Sequence, residues 1–383
     1  MHKEKLLMTP GPTMLPPEVL EVMRRQIIHH RTADFEKIWD EMHENLKYIF
    51  QTKQRVMTLV SSGTGAMEAA VCNLFSRGDK VLVISIGAFG DRFAQIAEAY
   101  GLDVVKLAVE WGKAVDVKDV KEILSEDINR KIKGVFITHN ETSTGVTNDI
   151  CEVSRLTRET ERLLIVDAIS SLGGLELRMD DWGLDCVVAG SQKALMAPPG
   201  LGFIALSEKA WKACEQSDLP KFYWDLKKYK KGLEKLSENP PYTPAITTVM
   251  AQAAALRIMI EEGLENIYAK HEKCAHAVQQ GMLALGLTLL PDIKDSSYII
   301  TAVKAPENID IGKVIKTLNN KYDIMVVGGQ KHLKGKILRF GHCGYFDKFD
   351  IIKAFTALEQ ALLEEGFYFE PGAGVNAVMK ELF

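Results

Sequence analysis

Short, nearly unbroken apolar runs recur through the first half of the chain. They are Arg55-Val-Met-Thr-Leu-Val60, Lys80-Val-Leu-Val-Ile-Ser-Ile86, Val104–Val109, Gly134-Val-Phe-Ile-Thr138, Arg162-Leu-Leu-Ile-Val-Asp-Ala168, Leu184–Gly190 and Gly202-Phe-Ile-Ala-Leu206. Their length and β-branched content predict buried strands. Between them, apolar residues fall at helical spacing, as in Phe93, Ile96, Ala97 and Tyr100, with helices expected at 66–75 and near 149–162. Residues 16–50 read as helical, broken near Arg31-Thr32. Alternation of this kind over 55–206 predicts an α/β domain with a mainly parallel sheet, whose ligands bind beyond the carboxyl ends of the strands. Strong helical periodicity follows at Thr247–Glu262 and about 265–285. A smaller C-terminal α/β unit is expected next, with strands Ser297–Val303, Ile324–Val327 and Lys336–Phe340 and helices Ile311–Lys321 and Asp347–Glu364.

Length and composition fit this picture. A chain of 383 residues exceeds what one core usually serves. Its net charge of −4 argues against a general nucleic-acid surface. The six cysteines form no C-x-x-C pair and sit in apolar patterns, which suits reduced thiols and a cytoplasmic setting. The histidines show no metal-ligand spacing, no run is long enough to span a bilayer, and the N-terminus has no signal-peptide core.

Candidate chemistry gathers at predicted strand ends. Lys193 leaves an apolar strand at a polar corner, where poor solvation would ease loss of its proton and make its amine a nucleophile toward a carbonyl. A solvated surface lysine is the plain alternative. Asp167 closes the preceding strand, either as a turn residue or as the partner of a cationic ring nitrogen. Ser61-Ser-Gly-Thr-Gly65 lies between a strand and a helix, the arrangement that points N–H groups at an anion, although such glycines also serve simple turns. Phe89, between glycines, and Thr142 with Ser143 sit at two further strand ends. Arg339 interrupts an apolar strand, as a carboxylate clamp or as half of a structural ion pair. Thr9-Pro-Gly-Pro-Thr13 is a stiff segment that lines a site or lies on a neighbouring surface. The lysine-rich, aromatic stretch 211–241 reads as a solvated loop or a subunit contact.

Taken together these residues resemble the alanine–glyoxylate and serine–pyruvate aminotransferase family, the class V aminotransferases among the fold-type I pyridoxal-phosphate enzymes. The resemblance rests on Pro10-Gly-Pro12, Ser62-Gly-Thr-Gly-Ala-Met-Glu-Ala69, Gly87-Ala-Phe-Gly-Asp-Arg92, Thr138-His-Asn-Glu-Thr-Ser-Thr-Gly145, Val166-Asp-Ala168, Ser191-Gln-Lys193, Pro198-Pro-Gly200, Tyr242-Thr-Pro244 and Leu338-Arg-Phe-Gly341. It implies a large domain with a seven-stranded, mainly parallel sheet and a smaller C-terminal domain. The expected boundaries are 1–20 for an arm packing on the partner subunit or the small domain, 21–262 for the pyridoxal-phosphate domain, and 263–383. It also implies roles. Lys193 would bond the cofactor aldehyde and then move a proton. Asp167 would pair with the pyridine nitrogen, and Phe89 would stack on the ring where the family often has a larger aromatic. Ser62, Gly63, Thr64 and Gln192 would bind the phosphate, and Thr142 polar atoms near the ring. Thr243 would reach the phosphate of the other subunit of a homodimer. Arg339 would grip the substrate carboxylate. A phosphate-site tyrosine found in some members gives way here to Pro240 or Pro241.

The implied reaction is ping-pong transamination from alanine or serine to glyoxylate or pyruvate, with no metal. Transamination of an aminophosphonate is an alternative. A cysteine-desulfurase-like lyase is another, but Gln192 stands where those enzymes carry histidine, and Cys343 is the nearest thiol. A dinucleotide loop fails because Glu68 occupies the third small position.

Overall fold

The computed structural model describes residues 4–129, 131–234 and 240–383. After a short N-terminal strand, β1 (Leu6–Leu7), the predicted runs form β2 (Val56–Val60), β3 (Lys80–Ser85), β4 (Asp103–Ala108) and β5 (Ile132–Thr138). A small hairpin, β6 (Asn140–Glu141) and β7 (Val146–Thr147), precedes β8 (Leu163–Asp167), β9 (Cys186–Gly190) and β10 (Leu201–Leu206). Seven of these strands make one sheet in the order β2-β10-β9-β8-β5-β3-β4. Only β10 runs against its neighbours β2 and β9. The physical reason lies in its connection. The segment between Gly190 and Leu201 carries no helix and contains Pro198-Pro-Gly200, whereas a parallel return needs a crossover, usually helical, of about a dozen residues or more.

Alternation along each strand feeds two cores. In β8, Leu164 and Val166 join Trp39, Met42, Leu46 and Ile84 on one face, while Leu163 and Ile165 join Met67, Val71, Phe93 and Phe136 on the other. Both faces are covered by helices, so the strands read as continuous apolar runs rather than alternating ones.

The C-terminal part has its own sheet. Strand β11 (Ile300–Lys304) pairs with β14 (Ile337–Gly341), which pairs with β13 (Val327–Gly328). The predicted strand Ile324–Val327 is divided: β12 (Ile324–Met325) pairs with β1 and not with β13's sheet. The N-terminal arm is thereby stitched to the C-terminal part, and the Gly341 N–H donates to the Met8 carbonyl at 2.9 Å.

Two expectations need correction, and one element is new. The helix near 149–162 ends at Ser154. There Ser154, Thr157 and Thr160 turn their hydroxyls onto carbonyls three residues back, competing with the helical ladder. The stretch 211–241 is not a loop throughout: it carries helices Glu208–Gln216 and Leu226–Glu234, while 235–239 lies outside the described residues. A terminal helix, Ala373–Leu382, was not anticipated; its Val378 reaches helix Leu264–Ala284 at Gly281, where a Cβ would press on Val378 and Phe355. Among the described residues no helix is long and apolar enough to cross a membrane.

Candidate active site

Five strand ends meet at one cavity of about 270 Å³. Its walls are Ser62, Gly63 and Thr64 after β2; Phe89 and Arg92 after β3; Asn140 and Thr142 after β5; Asp167, Ile169 and Ser170 after β8; and Gln192 and Lys193 after β9. The sheet places them there because successive parallel strands all end on the same edge.

Lys193 and Asp167 share this cavity. Burial lowers the Lys193 pKa, an effect partly opposed by the nearby Cys343 and Asp167. Its Nζ donates to the Pro10 carbonyl at 2.8 Å, and Thr13 Oγ1 donates to the Lys193 carbonyl at 3.1 Å. The arm thus lies directly over the lysine of its own chain. Gly11 has φ +125, and a Cβ there would collide with the Lys193 side chain, so the segment needs glycine both for its conformation and for its approach. Asp167 is 3% exposed, and burial raises its pKa to about 7, with the charge of Glu141 adding to the rise and those of Lys193 and Arg92 opposing it. Its Oδ1 accepts the Ile169 N–H at 3.0 Å. A cationic ring nitrogen would relieve this carboxylate, and nothing in its surroundings does so fully.

Other parts of the wall suit an anion. Ser62 is the N-cap of helix Gly63–Leu74, and its side chain makes no capping bond, leaving the hydroxyl available. The helix N-terminus presents a positive dipole end. Arg92 donates to Thr64 Oγ1 at 3.2 Å and lies 4.7 Å from the Phe89 ring centroid, a cation–π contact. Gln192 Oε1 is buried without a hydrogen-bond partner, as expected of a wall atom that a polar ligand would satisfy. These features fit pyridoxal phosphate: a nucleophilic amine, a ring-nitrogen acceptor, an aromatic face and a phosphate cradle around one volume.

Two predicted residues stand apart from the walls. Thr243 is exposed and does not line the cavity. Arg339, 4% exposed, lies behind Thr142: its Nη1 donates to the Thr142 carbonyl at 2.7 Å and its Nε to the Gly328 carbonyl at 2.9 Å. Among the described residues it forms no ion pair, so the structural-pair alternative has no partner there. Sequence reasoning did not single out Arg92, Asn140, Ile169 or Ser170 as site residues. Arg92 had a usable signal, since it sits three positions after Phe89 on one helical face. Asn140 and Ser170 had none, because their mutual hydrogen bonds form only when β5 and β8 are neighbours. Cys343 is buried, and burial pushes its thiol up to about 12, which removes it as a ready nucleophile.

Residues 6–344 match the family model described as Aminotransferase class-V. The chain is 41% identical over 384 residues to a Synechococcus protein named soluble hydrogenase, small subunit, covering 100% of this chain and 99% of that one. It is 37% identical over 389 residues to a serine–glyoxylate aminotransferase of Methylorubrum extorquens, covering 98% and 95%. Among solved structures, the ureidoglycine–glyoxylate aminotransferase of Bacillus subtilis superposes with a TM-score of 0.95 at 30% identity, covering 100% of this chain and 98% of that one.

Proposed function

The chain belongs to the class V aminotransferases, and from that premise we propose that it transfers the amino group of a small amino acid, alanine or serine, to glyoxylate or pyruvate in two half-reactions, using pyridoxal phosphate. The observation that carries this reading is the buried pair Lys193 and Asp167 on the walls of one cavity. The name of the cyanobacterial relative points to a hydrogenase subunit; that pair favours the aminotransferase reading.

Pyridoxal phosphate, when bound, supplies the electron sink for the substrate's Cα–H bond. The rest falls to this chain. Lys193 Nζ, its proton weakly held, would hold the cofactor's aldehyde carbon until the substrate's amine takes its place there, and the freed Nζ would then take the proton from the substrate's Cα. Asp167 would keep the ring nitrogen protonated. Phe89 would fix the plane of the ring, and Ser62, Gly63, Thr64, Gln192 and Arg92 would hold the phosphate, with Thr142 beside the ring's polar atoms. Arg339 would take the substrate carboxylate and so orient the Cα–H bond. A small side chain is favoured because the cavity must hold cofactor and substrate together under Pro10 and Gly11. We further propose a cytoplasmic homodimer in which Thr243, exposed on the single chain, completes the partner's phosphate site. The same reading divides the chain into an arm 1–20, a cofactor domain 21–262 and a small domain 263–383.

The test is spectroscopic. Bound pyridoxal phosphate should absorb as an imine, lose that band on addition of alanine or serine, and regain it with glyoxylate or pyruvate. A protein that binds no pyridoxal phosphate, or whose band no small amino acid alters, defeats the proposal. Release of sulfide from cysteine would favour the lyase instead.

A further inference from the structure

Glu141 lies behind the cavity wall, and its carboxylate is 0% exposed. Four donors converge on it. Oε2 accepts the N–H groups of Phe89 at 3.0 Å and Gly90 at 3.1 Å, at the start of helix Ala88–Ala99. Oε1 accepts the N–H of Ser143 at 3.1 Å and its hydroxyl at 2.6 Å. Ser143 Oγ in turn accepts the Ala88 N–H at 2.9 Å. Gly87 has no Cβ to offer here, because one would run into the Glu141 side chain. Between Glu141 and Ser143 stands Thr142, whose side faces the cavity and whose carbonyl accepts Arg339 Nη1 at 2.7 Å.

One buried carboxylate therefore ties together three pieces from distant parts of the sequence: the turn carrying Phe89 and Arg92, the turn carrying Thr142, and through Thr142 the arginine of β14. Four donors favour the ionised form of a carboxylate, while burial works against it and raises its pKa. We propose that Glu141 is a positioning residue that holds the aromatic face of Phe89 and the guanidinium of Arg339 in one fixed relation, so that ring plane and substrate carboxylate are set by the same group. It does not line the cavity and touches its walls only through its neighbours. Its charge also reaches the site, favouring the protonated Asp167 and the cationic Arg339.

This rests on the aminotransferase reading, and the experiment separates the two. In the holoenzyme, Glu141→Gln keeps the shape, removes the charge and replaces an acceptor by an amide donor facing N–H groups. Two readouts are taken beside the folding check by circular dichroism: the pH at which the bound cofactor's absorbance titrates, and the dissociation constant of acetate as a bare carboxylate. With pyridoxal phosphate still bound, acetate should bind about tenfold more weakly, since charge-assisted hydrogen bonds are lost or misaligned. KM for the amino acid should rise with it. The absorbance titration should move down by about one unit, because a negative charge near the site has gone. Ser143→Ala, which loosens Glu141 but keeps its charge, should weaken acetate binding by less and leave the absorbance titration in place. A folded variant of either kind with native titration and native acetate binding overturns the proposal, and if Glu141→Gln does not fold, Ser143→Ala decides alone. Failure of the native protein to bind pyridoxal phosphate would instead remove the functional reading, and this inference with it.

Discussion

Asp167 sits in an environment that opposes the charge its type prefers, at a place where the proposed chemistry needs it. Burial raises its carboxyl to about 7 from an ordinary value of 3.8. A folded-state pKa above the unfolded one means that the folded chain holds the proton more tightly. The corresponding stability is fully present below about pH 4 and is lost as pH rises through about 7. The cofactor-free protein should therefore lose up to about 4 kcal/mol from this group across that window. Asp167→Asn keeps an acceptor for the Ile169 N–H and cannot ionise. The difference in unfolding free energy between the native chain and this variant, from urea titrations at several pH values, should fall with that profile; a flat difference would contradict the assignment. The buried rings of His43, His139 and His271, lowered to about 4, and His342, lowered to about 3, act in the opposite sense. They charge in the unfolded chain first and destabilise the fold as pH falls below about 6.5, but they are common to both proteins and cancel.

At the scale of elements, the N-terminal arm shows how a segment without regular structure comes to matter. Thr9–Thr13 is held by β1 on β12, by the Gly341 N–H on Met8, and by Lys193 Nζ on Pro10. Gly11→Ala places a methyl group where the Lys193 side chain runs and strains a left-handed φ. It should cost about 1–3 kcal/mol of stability and, by displacing the lysine, weaken pyridoxal phosphate binding roughly tenfold or more. Equilibrium dialysis with pyridoxal phosphate and urea unfolding check both; native affinity in the variant would show that the arm merely covers the site. The strands were legible because their apolar runs are long, β-branched and bounded by polar corners. The helix at 150–154 was overextended because apolar spacing does not register hydroxyls that bond back to the chain. The division of Ile324–Val327 between two sheets was hidden, since its halves pair with segments at opposite ends of the sequence.

At the scale of the whole molecule, the large sheet supplies the cavity and the C-terminal sheet supplies Arg339, and the two meet at the Thr142 carbonyl. The proposed dimer adds a third contribution, and it makes a sharp expectation. Lys193→Ala lacks the amine, and Thr243→Val lacks the hydroxyl owed to the partner. In mixed dimers one site would pair an intact Lys193 with an intact Thr243. Unfolding and refolding equal amounts of the two variants together makes about half of the dimers mixed, so transaminase activity should return to about one native site per four chains, whereas either variant alone stays far lower. No gain on mixing would place Thr243 outside the partner's site.

Strand positions, the parallel character of the sheet and the placing of Lys193, Asp167 and the Ser62–Thr64 turn at strand ends were readable from the chain, because burial pattern and turn chemistry are local and leave marks at fixed spacing. What only the tertiary structure decided were relations between segments far apart in sequence: the arm lying on Lys193, Arg92 facing Thr64, and Glu141 joining Phe89 to the turn beside Arg339. Each depends on which strands become neighbours and how closely they approach, and no one-dimensional periodicity carries that information.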